Sequence, residues 1–557
     1  MKANLINIFE KTIREAEIHI SDKRISKINT IGPENASLPY ILPGFTDAHV
    51  HVESSMLTPA QFARLAVVHG TIATVSDPHE IANVLGIEGV QFMIEDGKRV
   101  PFKFCFGAPS CVPATVFETA GAVVNAEQVG ELLASDDIGY LAEVMNFPGV
   151  LNEDADMMAK INWAKHYNKV IDGHAPGLRG AAAKRYASFG ISTDHECFTY
   201  AEAREKIDYG VKILIREGSA ARNFEALIPL IDEFPDHIMF CSDDKHPDNL
   251  VEGHINVLVK RALALGYDLW NVLQAACINP VLHYSLNAGL LREGDAADFV
   301  LIDNADTFNI LETWIDGELV AKEGKSLIPD LRSAHPNHFE CEPKTADDFR
   351  YPAKNSENRI RVIEALDGQL VTNEWITDAK IIDGAIVPDL EKDVLKVVVV
   401  NRYSLATSAD GRPAEARPAD RRLATAFIRN FGLKKGALAS SVAHDSHNII
   451  CIGCDDESIA QAVNLVVGAK GGLSAVGGNE AHLIELPIAG LMTDRDGYEV
   501  AGSYTKLDRF VKDELGSTLK SPFMSLSFMA LLVIPSLKLS DKGLFDGESF
   551  QFTSLTL

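Results

Sequence analysis

Short apolar runs alternate with helix-like segments over residues 43–280 of this chain. Eight of these runs have the length and residue types of buried strands. They are residues 43–53, 71–76, 102–106, 139–145, 169–174, 191–195, 212–216 and 237–243. Eight strand–helix units over about 240 residues predict an α/β fold with a (β/α)8 barrel of the TIM type. An open doubly wound sheet is the alternative, but no glycine-rich phosphate-binding sequence follows the first strand.

The segments on both flanks of the predicted barrel, residues 43–285, have a different pattern. Residues 3–42 alternate apolar and polar positions, as half-buried strands do, and a similar alternation resumes in AGLLREGDAADFVLID. We therefore expect residues 1–42 and 286–335 to form one small composite domain of β-sandwich type.

The last third of the chain predicts a further domain. Residues 336–359 are polar and contain several prolines, which is typical of a linker. Residues 360–557 again mix strand-like and helix-like segments and predict an additional C-terminal α/β domain. Within it, residues 401–422 have the composition of a long polar insertion loop.

Charge and cysteine content exclude several classes of function. The chain has 52 Lys and Arg against 78 Asp and Glu, a net charge of −26, which disfavours binding to nucleic acid or to an anionic membrane. Neither a secretory signal nor the ~18-residue apolar run of a spanning helix is seen. The eight cysteines are scattered, as in a reducing compartment. We expect a cytoplasmic homo-oligomer, a dimer or tetramer, that acts on a small molecule.

Metal-type side chains recur where the predicted strands end. His49 and His51 lie two residues apart on the first strand, so both imidazoles point to the same face. The other strand ends carry Asp77, His79, Glu143, His174, His195, Asp243 and Asp244. Because the catalytic loops of such a barrel gather at the carboxyl ends of its strands, we expect these side chains to converge. Four histidines with two or more carboxylates predict a two-metal hydrolytic site.

Glu53 and the sequence DPHE have both functional and structural interpretations. Glu53 faces the same side as the two histidines and is expected either to orient a ligand histidine or to contact the substrate. Asp77 or His79 is expected to line the pocket. The alternative is that Asp77-Pro78 is only a turn and Glu80 only caps a helix.

Longer motifs resemble one family. PGFTDAHVHVESSM, TVSDPHEIANVLG, SSVAHDSHN and LPIAGLM are similar to segments of bacterial adenine deaminases of the amidohydrolase superfamily. The resemblance covers nearly the whole chain. The His-x-His pair marks only the superfamily, whereas DPHE, REGSAARN and SSVAHDSHN are specific to the family. The resemblance implies hydrolysis of adenine to hypoxanthine and ammonia by attack at C6, with two Mn²⁺ or Fe²⁺ ions; the ligand types are also compatible with Zn²⁺.

The resemblance also implies a role for each ligand. The expected ligands are His49 and His51 for one ion, His174 and His195 for the other, Glu143 as the bridge, and Asp243. Asp243 would also take a proton from the attacking water and deliver one to the departing ammonia. Ring nitrogen N1 must gain a proton as well, and the carboxylates expected to supply or orient it are Glu143, Asp77 and Asp244, in that order.

Substrate contacts are expected from five residues. They are His79, Asp244, Arg216, Ser219 and Glu53. Arg216 and Ser219 belong to REGSAARN after the seventh strand and would donate to purine nitrogens. Their structural alternative is a glycine turn followed by a serine helix cap.

SSVAHDSHN is the most polar cluster of the C-terminal domain. We expect its His444 and His447 to lie near the barrel mouth and to help close the pocket, or to form an oligomer contact; a polar turn is the alternative. A zinc site with Cys451 and Cys454 is disfavoured, because residues three apart on a strand point to opposite faces. His246, beside the proposed base, has no assigned role.

Two other functions compete with adenine deamination. Amidohydrolases that cleave cyclic amides, such as dihydropyrimidinase and dihydroorotase, commonly bridge their metals with a carboxylated lysine, and the fourth strand here offers Glu143 instead. A non-catalytic purine-binding barrel would have a broken ligand set, and this one is intact.

Overall fold

The computed structural model describes residues 1–353, 358–403 and 423–557. Most of the predicted insertion loop at residues 401–422 lies outside these ranges, as do residues 354–357 of the predicted linker. Among the described residues, no helix is long and apolar enough to cross a membrane.

The chain begins with four strands outside the barrel. They are β1 (Lys2–Asn7), β2 (Thr12–Ser21), β3 (Arg24–Pro33) and β4 (Tyr40–Pro43). β1 pairs antiparallel with β2, β2 pairs antiparallel with β3, and β1 pairs parallel with β4. The short β4 leads directly into the barrel, so this sheet is anchored against it.

Eight parallel strands then form the barrel. They are β5 (Phe45–Val50), β6 (Thr71–Ser76), β7 (Lys103–Ala108), β8 (Ile138–Val144), β9 (Val170–Gly173), β10 (Thr193–Asp194), β11 (Lys212–Arg216) and β12 (Ile238–Cys241). They follow chain order in two sheets, β5 to β9 and β10 to β12. Parallel bridges Ile171–Ile191 and Val50–Asp243 join the sheets into a ring. The predicted barrel is confirmed, with a sixth strand shorter than expected.

Helices connect the barrel strands. They are α1 (Pro59–Ala66), α2 (His79–Leu85), α3 (Ile87–Gly97), α4 (Ala126–Ala134), α5 (Phe147–Leu151), α6 (Ala155–His166), α7 (Gly180–Ser188), α8 (Tyr200–Asp208), α9 (Phe224–Leu227), α10 (Leu230–Glu233), α11 (Pro247–Glu252), α12 (Ile255–Ala264), α13 (Leu269–Leu273) and α14 (Asn279–His283). Local sequence sets several starts: Asn125 and Gln128 form a capping box on α4, and Thr199 caps α8.

Four strands after the barrel complete the first sheet. They are β13 (Phe299–Ile302), β14 (Ile310–Ile315), β15 (Glu318–Lys322) and β16 (Lys325–Ser326). β13 pairs antiparallel with β4, which gives one eight-stranded sheet in the order β16-β15-β14-β13-β4-β1-β2-β3. An antiparallel bridge between Arg24 and Ala296 brings β3 back to the segment before β13.

The C-terminal part contains a second eight-stranded sheet and two three-stranded sheets. The strands of this part are β17 (Tyr351–Pro352), β18 (Arg359–Ala365), β19 (Thr372–Asp378), β20 (Ile381–Ile382), β21 (Ala385–Ile386), β22 (Val394–Val400), β23 (Leu423–Arg429), β24 (Ala437–Ser440), β25 (Ile449–Gly453), β26 (Gly472–Gly477), β27 (Glu480–Glu485), β28 (Leu537–Ser540), β29 (Gly543–Asp546) and β30 (Gln551–Phe552), and its helices are α15 (Asp456–Ala469), α16 (Gly497–Arg509) and α17 (Pro522–Ser527). The large sheet has the order β19-β18-β23-β22-β25-β24-β26-β27. This agrees with the predicted additional α/β domain.

The C-terminal domain packs closely on the barrel. The Gln61 side-chain amide of α1 donates to the Asp494 carbonyl of the C-terminal domain (3.2 Å) and also to Asp330 Oδ1 in the segment before that domain (2.7 Å). Arg64 pairs with Asp496 at 2.8 Å, and side chains of both domains share one hydrophobic core. The C-terminal domain is therefore held over the barrel, close enough to contribute to its mouth.

A buried carboxylate closes the barrel between β5 and β12. Asp47 of β5 accepts hydrogen bonds from the Ser242 amide (3.0 Å) and hydroxyl (2.5 Å) and pairs with His254 Nε2 at 2.7 Å. A backbone hydrogen bond also joins the two strands: the Asp243 amide donates to the His49 carbonyl at 2.9 Å. Asp47 thus fixes the first strand against the last, where His49 and Asp243 lie.

We expect Asp47→Ala to lower the free energy of unfolding by about 3–5 kcal/mol, because it leaves the buried His254 and the Ser242 groups without their acceptor. Asp47→Asn should cost less, since its amide oxygen still accepts one bond. Thermal and denaturant unfolding would measure both variants, with the exposed Asp136→Ala as the control. A melting temperature of Asp47→Ala equal to that of Asp136→Ala would contradict this account.

Candidate active site

The strand ends bring the six predicted ligands into one buried cluster at the barrel mouth. Nε2 of His51 lies 3.2 Å from Asp243 Oδ1 and 3.4 Å from Glu143 Oε1. His49 Nε2 lies 3.6 Å from the same Asp243 oxygen. The His49 and His195 rings stack with their centroids 4.0 Å apart. Residues that are far apart in the chain therefore converge, as the barrel topology predicts.

Glu143 lies between imidazoles on both sides. Its Oε2 is 2.6 Å from His174 Nδ1 and 3.2 Å from His195 Nε2, while its Oε1 faces His51 and also His79, 3.4 Å away. Burial by itself would raise the pKa of Glu143, but the neighbouring imidazoles, His174 above all, hold that pKa well below its usual range. The carboxylate has one oxygen directed to each half of the cluster, which is the arrangement that a bridging ligand requires.

The donor atoms fit divalent cations. Both ring nitrogens of His49 are buried and have no hydrogen-bond partner among the described residues; a bound cation would supply a partner for one of them. Nδ1 of His51 lies 3.1 Å from the Asp77 carbonyl, which leaves Nε2 as the ligand atom. Ligand atoms of His49, His195 and Asp243 lie within 4.8 Å of one another, and so do those of Glu143, His174 and His195.

A buried arginine forms an ion pair with Asp243. Arg216 Nη1 lies 2.5 Å from Asp243 Oδ2 and also contacts Glu196, and its Nε donates to the Ala221 carbonyl at 2.9 Å. Burial would raise the pKa of Asp243, but Arg216 and the histidines hold it well below its usual range. The guanidinium of Arg216 lies between two carboxylates and also lines the cavity; its expected contact with the substrate stays a prediction.

Sequence reasoning missed Glu196, although a signal was present. It follows His195 directly at the end of β10, and its Oε1 lies 3.6 Å from His195 Nε2 and 3.8 Å from His174 Nδ1. A carboxylate beside a ligand histidine at a strand end has the same position in the barrel as the residues that were selected. Its contact with Arg216 could not be read from the pattern.

The two acidic residues of DPHE lie in different surroundings. Asp77 Oδ1 accepts the His79 amide (3.0 Å), and Oδ2 lies 3.2 Å from His79 Nδ1. Glu80 lies at the start of α2 and contacts His444 and His447. Glu80 is therefore more than a helix cap.

Glu53 accepts the Ile81 amide at 3.3 Å, and burial raises its pKa to about 7.

The C-terminal domain covers the cluster. Its contribution to the cavity wall includes Leu370, His444, Asp445, Phe528, Leu531 and Val533. His444 lines the cavity, and His447 contacts the same carboxylate as His444, that of Glu80; their role in closing the pocket stays a prediction. Burial raises the pKa of Asp445 to about 6. Sequence reasoning did not find the apolar wall residues Leu370, Phe528, Leu531 and Val533, because their sequence positions look like those of ordinary core residues.

The remaining predicted residues lie at the edge of the site. Asp244 lines the cavity, accepts the Ser54 hydroxyl at 2.5 Å and has a pKa raised by burial and by Asp243. The Ser219 hydroxyl donates to Asn249 Oδ1 (2.7 Å) and accepts the His246 amide (2.9 Å). Ser219 and His246 line a neighbouring cavity.

Comparison with known proteins identifies the family. The model of the amidohydrolase family matches residues 40–320, and that of the adenine deaminase C-terminal domain matches residues 369–551. Adenine deaminase of Salinibacter ruber is 54% identical over 548 residues, covering 98% of this chain and 97% of the relative. Those of Sulfurovum sp. and Methanosarcina mazei are 53% and 52% identical and cover 99% and 97% of this chain and 98% and 96% of their own lengths. The chain belongs to the adenine deaminase family.

Membership of the adenine deaminase family confirms the resemblance stated from the motifs. It also supports the barrel with an additional C-terminal domain, and a divalent metal centre formed by the buried histidine and carboxylate cluster. The role of each residue in this member of the family stays a prediction.

We expect Arg216→Met to destabilise the protein by about 3–5 kcal/mol, because it leaves Asp243 and Glu196 buried without their counter-charge. Arg216→Lys keeps the charge but not the fork of donors, so its loss should be smaller. Thermal unfolding of metal-depleted protein would measure both. Arg222→Met, on the exposed part of the same loop, is the matched control; an equal loss in that control would refute a specific role for Arg216.

Proposed function

We propose that this chain hydrolyses adenine to hypoxanthine and ammonia. The observation that carries the proposal is the buried cluster of four imidazoles and two carboxylates, enclosed by a domain that matches the adenine deaminase C-terminal model. The cyclic-amide alternative loses support because Glu143, not a lysine, lies between the two halves of the cluster.

The proposed centre holds two divalent ions, Mn²⁺ or Fe²⁺, with Zn²⁺ also compatible. His49 and His51 would hold one ion, His174 and His195 the other, with Glu143 between them and Asp243 as a further ligand. Bound there, such ions would lower the pKa of a water molecule toward ~7 and make it a nucleophile at neutral pH.

Asp243 is the proposed proton-transfer group. One of its oxygens points to the histidine cluster and the other is held by Arg216, so the carboxylate is fixed in position and ionised. An ionised carboxylate can take a proton from the attacking water and deliver it to the amino group that leaves as ammonia. Arg216 is proposed to orient Asp243 rather than to bind the purine.

The cavity suits a flat, largely apolar base with polar edges. Phe528, Leu531 and Leu370 supply apolar wall, while His79 and Asp244 supply polar groups. Glu53 and Ser219 do not line this cavity, and their contact with the substrate stays a prediction. A homo-oligomeric state and the residue-level domain boundaries also stay predictions.

Ammonia release from adenine tests the proposal. We expect metal-replete wild type to produce ammonia and hypoxanthine, and removal of metal by a chelator to abolish the reaction reversibly. Asp243→Asn should lower kcat by about 10²–10⁴-fold, because the amide cannot carry the proton. The control is the exposed Asp136→Asn. Tight adenine binding without ammonia would instead identify a binding protein.

A further inference from the structure

We propose that His444 of the C-terminal domain is a catalytic residue that protonates N1 of adenine, and that Glu80 and His447 position it. The inference rests on the adenine deamination proposed above. It replaces the carboxylate that sequence reasoning expected for this proton with an imidazole from the other domain.

The contacts of His444 fix one of its ring nitrogens. Its Nδ1 lies 2.6 Å from Glu80 Oε1, and its ring stacks on Phe528 with centroids 4.7 Å apart and an interplanar angle of 16°. The Phe528 carbonyl in turn accepts a hydrogen bond from the buried Lys538 at 3.0 Å. A carboxylate on one edge and an aromatic face on one side leave the ring little freedom to rotate.

The other carboxylate oxygen of Glu80 is held by His447. His447 Nε2 contacts Glu80 Oε2, and its Nδ1 accepts the Ala443 amide at 3.2 Å. An acceptor at Nδ1 places the hydrogen of neutral imidazole on Nε2, which then donates to Glu80. Glu80, His444 and His447 are each at most 3% exposed. His447 therefore orients Glu80, and Glu80 orients His444.

The second nitrogen of His444 is available to a substrate. No hydrogen bond joins its Nε2 to any residue that the structure describes, and the side chain lines the same cavity as His51, Glu143 and Asp243. Since Nδ1 faces Glu80, Nε2 is the nitrogen that can donate to a base bound in this cavity.

The charges around His444 favour its protonated form. Burial alone would lower the pKa of His444, but the facing carboxylates of Glu80 and Asp244 outweigh it and raise the pKa to about 9. Asp445 raises the pKa of His444 by a smaller amount. His447 faces the same carboxylate, and burial lowers its own pKa to about 4. The imidazolium thus has a hydrogen on Nε2 at neutral pH.

The carboxylates expected to serve N1 are less well placed to donate a proton. Both oxygens of Glu143 face imidazoles. Asp77 Oδ1 accepts the His79 amide, its Oδ2 makes no hydrogen bond to any described residue, and Asp77 is not among the residues that line the cavity. Asp244 Oδ1 accepts the Ser54 hydroxyl. His444 lines the cavity, its ring is oriented by Glu80, and its Nε2 has no hydrogen-bond partner among the described residues.

The protons balance as follows. Water adds its oxygen to C6, one water proton passes to Asp243, and His444 Nε2 gives its proton to N1 as negative charge develops on the ring. Asp243 then protonates the amino group, and the C6–N6 bond breaks with its electron pair leaving on ammonia. The remaining hydroxyl proton is lost as the C6 carbonyl forms and restores the imidazolium. The product keeps the hydrogen on N1, as hypoxanthine does.

Steady-state kinetics of His444→Gln test the catalytic role. Gln retains a donor amide but cannot give up its proton, so kcat should fall by about 100-fold or more while KM changes little. His482→Gln, an exposed histidine of the same domain, should stay at the wild-type rate. Metal content and melting temperature are measured for each variant. A metal-replete, folded His444→Gln with kcat within threefold of wild type would overturn the proposal.

A double-mutant cycle tests the positioning roles. Glu80→Gln and His447→Gln should each lower kcat by about tenfold in the wild-type background but less than twofold in the His444→Gln background, because they act through that ring. Additive losses in the two backgrounds would show that Glu80 and His447 act independently of His444.

Inhibition by deaza analogues identifies the ring nitrogen. Wild type should bind 1-deazaadenine at least tenfold more weakly than 3-deazaadenine, because the analogue cannot accept the charged hydrogen bond at N1. His444→Gln should narrow this discrimination, because its neutral amide donates a weaker hydrogen bond. Equal inhibition of wild type by both analogues, or discrimination lost in Asp244→Asn but kept in His444→Gln, would overturn the assignment. Absence of ammonia release by wild type would instead refute the proposed function itself.

Discussion

Closure of the barrel between its first and last strands is the interaction on which the site depends. Asp47 on β5 binds Ser242 and His254, and the adjacent backbone bond joins His49 to Asp243. These contacts set the distance between imidazoles that begin the barrel and a carboxylate that ends it. A small error in this register would separate the donor atoms, so a stable closure precedes any chemistry at the mouth.

Removing so many ionisable groups from water requires compensation for each. Glu143 is surrounded by imidazoles, and Asp243 is paired with Arg216, which is itself shared with Glu196. The C-terminal domain extends the same principle to the rim of the cavity, where Glu80 of the barrel lies between two of its histidines. The C-terminal domain is therefore joined to the barrel by charged contacts at the site as well as by the shared hydrophobic core.

Several features could be predicted from the sequence because they follow from local rules. Apolar runs of strand length gave all eight barrel strands, and the carboxyl-end rule selected His49, His51, Glu143 and Asp243 as residues that converge. The same rule applied to Glu196, which was overlooked. Arg216 shows the limit of the approach: the motif marked it as important, but only the packed structure places its guanidinium between two carboxylates.

The sequence by itself determined the barrel, the set of metal-type side chains at its mouth and the family, because strand periodicity and motif spacing are local properties of the chain. Only the tertiary structure decided which partner each charged group receives. The contact between Glu80 and His447 joins residues 367 positions apart, and no periodic pattern carries information over that separation. Partner choice depends on how two domains pack, and packing is determined by shape and burial over the whole molecule.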